Sequence, residues 1–214
     1  QQLKASLEER GVLLQEVYHR TKNNMLVIIA MLSLQMEGLE DADAKRVFVD
    51  TKNRIRAMAL VHEKLYQSKN LSQIDLDEYL QELVTTIVEM SAAGTIALDF
   101  QCSALSLSFE QAVPLGLVVN ELVMNSLEHA FPGGQGTISL RLSSEENTVI
   151  LRLADDGIGM PKDFDCNQKG SIGLQITQAL VNRQLGGSLD LDSAKGTVAL
   201  IRFPKRTPEM EASL

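Results

Sequence analysis

Glu121-Leu122-Val123-Met124-Asn125-Ser126-Leu127-Glu128-His129 is the stretch on which the reading of the fold turns. Taken as part of a helix from about Phe109 to Ala130, it places Glu121, Asn125 and His129 at i, i+4 and i+8, on one face and within reach of one volume of space. Leu122, Val123, Leu127 and Ala130 give the helix an apolar face elsewhere, so the spacing by itself also suits a solvated polar face. The amide oxygen of Asn125 fits a hard cation that keeps several waters and bridges phosphates, and Glu121 can accept hydrogen bonds from such waters. Downstream, Ala154-Asp155-Asp156-Gly157-Ile158-Gly159 follows an apolar strand-like run. There the Asp155 carboxylate can meet a ligand's amino group while the glycines let backbone approach it, although D-x-G-x-G alone is equally an ordinary turn. Next, Gly170-Ser171-Ile172-Gly173-Leu174 opens a helix, where free amides and the helix dipole can hold phosphates or simply start the helix. Lys195-Gly196-Thr197 closes the series.

Around these motifs the hydrophobic periodicity predicts a helix over Asp75–Met90 and strands over Ile96–Gln101, Thr137–Ser143 and Thr148–Ala154. A Gly-containing loop, Met160–Ile172, then leads into a helix ending near Leu185, and strands Ser188–Leu191 and Thr197–Phe203 complete the chain. The pattern is that of a mixed sheet with helices, an α+β sandwich.

The N-terminal part reads differently. Leu3, Leu7, Arg10, Leu14, Val17, Thr21, Asn24, Ile28 and Met31 step by alternating fours and threes, the seam of a supercoiled helix. A second helix, Ala42–Gln67, repeats the stepping through Phe48, Thr51, Ile55, Met58, His62 and Leu65, with Gly38–Asp43 as the polar connection. Two helices with one apolar stripe each bury little alone, so this antiparallel hairpin is expected to pair with its copy as a dimeric four-helix bundle; packing against the rest of the chain is the alternative. The stepping already runs at residue 3, so an upstream sensor is expected to feed the first helix.

The 214 residues are 44% apolar, carry a formal charge of −8 and have a pI near 4.9. That charge opposes a nucleic-acid role, for which no basic stripe exists. No apolar run is long enough to span a bilayer and no signal peptide is visible, so a cytoplasmic segment without membrane contact is expected. Cys102 and Cys166 have no metal-like spacing and read as free thiols.

The order of motifs, E-x-x-x-N-x-x-x-H on a helix, D-x-G-x-G after a strand, G-x-G-L on a helix and then K-G-T, resembles the N, G1 and G2 boxes of the Bergerat-fold superfamily. This superfamily unites DNA gyrase, Hsp90, histidine kinases and the DNA-repair protein MutL, and the resemblance covers Leu76–Pro204. It implies ATP with Mg²⁺, with Asn125 as the Mg²⁺ ligand and Asp155 holding adenine. Gly157, Gly159, Gly173 and the adjoining Leu174 would line the nucleotide, and Thr197 would support the carboxylate. His129 and the lid lysines Lys162 and Lys169 stand where phosphate contacts occur, although a packing histidine and solvated lysines fit as well. Met160–Ile172 would form a mobile lid.

The first helix carries Glu16-Val17-Tyr18-His19-Arg20-Thr21-Lys22-Asn23-Asn24, and Leu14–Gln35 resembles the H-R-x-K-N-N acceptor segment of the HisKA_2 histidine kinases, close to the HWE kinases. Neutral imidazole is a nucleophile, and at an ordinary pKa of about 6.5 His19 is mostly unprotonated near neutrality. Glu16 and Asn23, one turn either side, can hydrogen-bond the ring or orient water, and Arg20 and Lys22 can offset phosphate charge. In the larger histidine-kinase class an acidic residue follows the acceptor; Arg20 stands there, which leaves the general base open. His62-Glu63 mimics that acidic dipeptide but lies on the apolar seam, where a core histidine is expected.

Together these readings describe a dimerisation and phosphotransfer hairpin over 1–70 and an ATP-binding catalytic domain over 71–214, with a hinge near Gln67–Gln73. The expected function is a sensor histidine kinase core that phosphorylates His19 and passes the phosphoryl group to an aspartate of a response-regulator receiver domain. The alternatives are a phosphotransfer scaffold with a decayed ATP domain, or an ATPase or anti-sigma-type serine kinase of the same fold. Those relatives lack the H-R-x-K-N-N hairpin, while Glu121, which activates water in the hydrolytic members, speaks for them.

Overall fold

The computed structural model describes residues 20–21, 23–67, 73–91, 94–160, 172–193 and 195–206. The chain divides into two compact units at Lys69/Asn70. In the first, residues 20–37 are helical, Lys22 aside (α1), and α2 spans Ala42–Gln67. Asp41 starts α2: its Oδ1 accepts from the Ala44 N–H at 3.3 Å and its carbonyl from the Lys45 N–H at 3.0 Å, satisfying donors that a helix start leaves unpaired. Among the described residues of this unit Ile29 and Val61 are the buried apolar side chains. Ile28 and Met31, the seam positions of α1, are instead exposed, together with Leu26, Val27 and Leu34.

The second unit is the α+β sandwich. Its helix α3, Leu76–Met90, buries Leu76, Tyr79, Leu80, Leu83, Val84 and Ile87, an i, i+3, i+4 stripe that gives it one apolar face. Fully burying a leucine is worth about 1.5–3 kcal/mol relative to leaving it exposed, which fixes that face inward. Strands β2 (Thr95–Cys102), β4 (Gln135–Glu145), β5 (Thr148–Asp155), β6 (Ser188–Asp192) and β7 (Val198–Pro204) form one sheet in the order β2-β4-β5-β7-β6. The β2–β4 pair is parallel and the others antiparallel. Alternation along β5 and β7 points Val149, Leu151, Leu153, Ala199, Ile201 and Phe203 into the core. Two two-residue strands, β1 (Ile74–Asp75) and β3 (Ser106–Leu107), pair beside this sheet.

The helix expected over Phe109–Ala130 divides into α4, Phe109–Asn125, and a π-helical turn, Ser126–Ala130. Likewise α5, Ile172–Ala179, continues into a π-helical stretch, Leu180–Leu185, that stops at the left-handed Gly186. Gln111, 1% exposed, holds the end of the sheet to α4: its Nε2 donates to the Pro204 carbonyl at 2.8 Å and its Oε1 accepts from the Arg206 N–H at 2.9 Å. No described helix is long and apolar enough to cross a membrane.

Candidate nucleotide site

β5 ends on Asp155, a carboxylate 5% exposed. Burying a charge is costly without partners, and Asp155 has three. Its Oδ1 accepts from the backbone N–H groups of Gly157 at 3.1 Å and Thr197 at 3.0 Å, and its Oδ2 from the Ser126 hydroxyl at 2.9 Å. The carboxylate is therefore fixed as an acceptor, and each oxygen has about two lone-pair sites, so Oδ2 keeps acceptor capacity. Thr197 acts through its backbone, since its carbonyl also accepts the Asp155 N–H at 2.9 Å.

Asp155 looks into a cavity of about 400 Å³, a volume typical of small-molecule sites. Leu122, Leu153, Leu174, Leu191 and Ala199 give it apolar walls suited to a flat heteroaromatic ring, and Asn125, Ser126, His129 and Thr197 its polar points. Ile158, Gly159 and Met160 complete the wall that follows β5, with Ile158 72% exposed at its rim. The D-x-G-x-G segment is seated against the π turn: the Ile158 N–H donates to the Ala130 carbonyl at 3.0 Å, and a Cβ at Gly157 would lie 2.4 Å from that same oxygen. Only glycine allows this approach.

The residues expected at the site are partly gathered here. Asn125, His129, Asp155, Gly159, Leu174 and Thr197 line the cavity, and Gly157 braces Asp155. Gly173 lies buried in the first turn of α5, where its carbonyl accepts the Thr177 hydroxyl at 2.9 Å. Glu121 is not among the lining residues; it is buried, 6% exposed, one turn before Asn125. The i, i+4, i+8 count therefore brings two of its three side chains to the cavity. His129 is largely exposed, with Glu128 Oε2 3.9 Å from its Nε2. Glu16, His19, Lys22, Lys162 and Lys169 lie outside the described residues, as does the lid segment 161–171, and Asn23 is an exposed residue of α1. Ser126 and Ser193 are the residues that sequence reasoning missed. Ser126 adjoins Asn125 and keeps helical φ −63° and ψ −45°, its N–H on the Leu122 carbonyl, and it meets Asp155 only because α4 packs against the end of β5.

The site can be tested for ATP and for a divalent cation. A buried acceptor at the floor of an apolar slot matches the exocyclic amine of adenine. For the cation, no group of three or more His, Cys, Asp or Glu side chains could hold a metal among the described residues. The oxygen of Asn125 at the cavity suits Mg²⁺, which keeps its waters and takes further oxygens from phosphates instead of a protein cage.

Comparison with known proteins points the same way. Residues 16–91 match the HisKA_2 histidine kinase family, a match that runs past the division at residue 69 into α3, and residues 110–207 match the histidine kinase-, DNA gyrase B- and HSP90-like ATPase family. The sensor histidine kinase PdtaS of Mycobacterium tuberculosis is 29% identical over 204 residues, covering 93% of this chain and 40% of that protein. Blue-light-activated histidine kinase 2 of Erythrobacter litoralis is 29% identical over 200 residues, 89% of this chain and 56% of that protein. This chain thus spans roughly half or less of those relatives. The structure of the Erythrobacter litoralis EL346 blue-light-activated histidine kinase superposes with a TM-score of 0.66 at 28% identity, over 90% of this chain and 62% of that one. Its isolated histidine kinase domain, at 23% identity, shares the fold with a TM-score of 0.65 over 84% of this chain and 96% of that one. With an acceptor-type segment and an ATPase-type domain matched in tandem, the chain belongs to the histidine kinases.

Proposed function

We propose that this chain is the catalytic core of a sensor histidine kinase that transfers the γ-phosphoryl group of ATP to His19 and from there to an aspartate of a response-regulator receiver domain. The observation that carries this reading is the buried Asp155 carboxylate, held by Ser126, Gly157 and Thr197 and facing an apolar cavity. Asp155 accepts the adenine amine, the leucines hold the ring, and Asn125 and His129 stand where the phosphates leave the slot. Gly173 and Lys169 are assigned to the phosphate end.

Bound at Asn125, Mg²⁺ would neutralise the developing charge on the β- and γ-phosphates. Glu121, buried beside Asn125 and off the cavity wall, is assigned to water in that cation's shell. His19 attacks phosphorus as neutral imidazole: an N–P bond forms, the bond from the β–γ bridging oxygen breaks, and ADP leaves. Glu16 and Asn23 hold the non-attacking ring nitrogen, and Arg20 and Lys22 offset phosphate charge. Most of the catalysis is positioning, because phosphoryl transfer asks little covalent help from the protein.

The domain assignment, 1–70 for dimerisation and phosphoacceptor and 71–214 for ATP binding, belongs to the same proposal. So do dimerisation through the hairpin, a sensor upstream of it and a cytoplasmic location, where ATP and receiver domains meet. The deciding test incubates the protein with γ-labelled ATP and Mg²⁺. Acid-labile label absent from His19→Gln is expected; label that survives acid, or that persists in His19→Gln, defeats the reading.

A further inference from the structure

We propose that Ser193 is a positioning residue of the nucleotide pocket, its hydroxyl fixing the Gly159–Met160 backbone that forms one wall. The inference rests on reading the cavity as the ATP site. Ser193 stands just past the end of β6, in the connection to β7. Both sides of that connection reach the cavity, through Leu191 before it and Thr197 after it. Between them the half-buried Ser193 Oγ accepts from the Met160 N–H at 2.5 Å and donates to the Met160 carbonyl at 3.5 Å. One hydroxyl thus engages both polar groups of a single residue, as a neighbouring strand's backbone would. Ser193 is itself oriented by its N–H, which donates to Asp192 Oδ1 at 2.7 Å.

Gly159 records how close this approach is. It holds φ +72°, and a Cβ there would lie 2.7 Å from Ser193 Oγ and 3.1 Å from the Gly196 carbonyl. The second glycine of D-x-G-x-G is thereby packed against a serine more than thirty residues away. Upstream, the segment is anchored by Gly157 on Asp155 and Ile158 on Ala130; beyond Ile158, Ser193 is the side chain that holds its course along the cavity. Without the hydroxyl the wall at Gly159 and Met160 loses its tether, and a nucleotide must order it on binding.

The test is calorimetric titration of the full chain with ADP and Mg²⁺, comparing wild type with Ser193→Ala, Ser193→Thr and Asp155→Asn, alongside thermal unfolding of each nucleotide-free protein. Ser193→Ala is expected to weaken ADP binding by about tenfold with an unfolding midpoint near that of wild type, and Ser193→Thr, which keeps the hydroxyl, to stay within about twofold. In autophosphorylation Ser193→Ala should raise KM for ATP and leave kcat nearly unchanged. Wild-type affinity in Ser193→Ala, or equal losses in the alanine and threonine variants, overturns the Ser193 assignment while the Asp155→Asn loss still supports the ATP site. Wild-type protein that binds no ADP, or Asp155→Asn that binds it normally, overturns the ATP reading and the Ser193 assignment with it.

Discussion

At the residue scale the site is organised around one carboxylate whose partners are mostly backbone. Because Gly157 and Thr197 support Asp155 through N–H groups, substitutions of the Thr197 side chain leave all three bonds intact, whereas Ser126 contributes by its hydroxyl alone. Ser126→Ala is expected to lower folding stability by about 2 kcal/mol, the scale of a hydrogen bond to a charged group, and to weaken ADP binding. Urea unfolding and titration together check this; a variant matching wild type in both measurements removes Ser126 from the site. Gly196 is under a tighter constraint. It has φ +72°, and a Cβ on it would lie 2.0 Å from the Asp155 carbonyl. Gly196→Ala should therefore cost about 1–3 kcal/mol and displace the end of β5, so that both the unfolding midpoint and nucleotide affinity fall. That Asp155 could be an acceptor was legible from its place between an apolar strand and two glycines, once the order of the other motifs set it apart from an ordinary turn. That Ser126 would be its donor was not, because the contact joins a helix and a strand 29 residues apart and depends on how they pack.

At the element scale, strands and helices with a long apolar period were readable nearly to their ends, as α2 and α3 show. The π turns and the two-residue strands β1 and β3 were not: hydrophobic spacing counts positions on a regular helix, and two residues carry no period. The β4–β5 ladder supplies a prediction of its own. Arg141 and Arg152 stand directly opposite each other on the sheet face turned away from the buried Leu140, Leu142, Leu151 and Leu153. Like charges so placed oppose strand pairing, so Arg141→Thr, which also favours a strand, is expected to raise stability by about 0.5 kcal/mol. A lower urea midpoint in Arg141→Thr would show that the pair contributes packing that outweighs its repulsion.

At the scale of the whole molecule the two units behave differently. The helical unit leaves Leu26, Ile28, Met31 and Leu34 exposed, an apolar stripe larger than an isolated hairpin needs, and it is the surface on which dimerisation is proposed. Ile28→Lys with Met31→Lys should shift the protein toward monomer in light scattering while leaving ADP binding unchanged; a dimer that persists places the interface elsewhere. The same unit carries His62, whose pKa burial lowers from 6.5. The folded chain resists a proton that the unfolded chain accepts, so stability falls as pH drops below about 6.5, and His62→Gln should flatten that loss in urea unfolding compared at about pH 7.5 and pH 5.5. By itself the sequence determined which residue types stand at the site, the order in which the chain supplies them, and the apolar faces that build the sandwich, because these are local spacings along one element. Only the tertiary structure decided that Ser126 and Thr197, 29 and 42 residues from Asp155, hold its carboxylate, that Ser193 reaches Met160 across 33 residues, and that Glu121 is buried off the wall of the cavity that Asn125 lines. Those pairings depend on how packed elements meet, which no spacing within a single helix encodes.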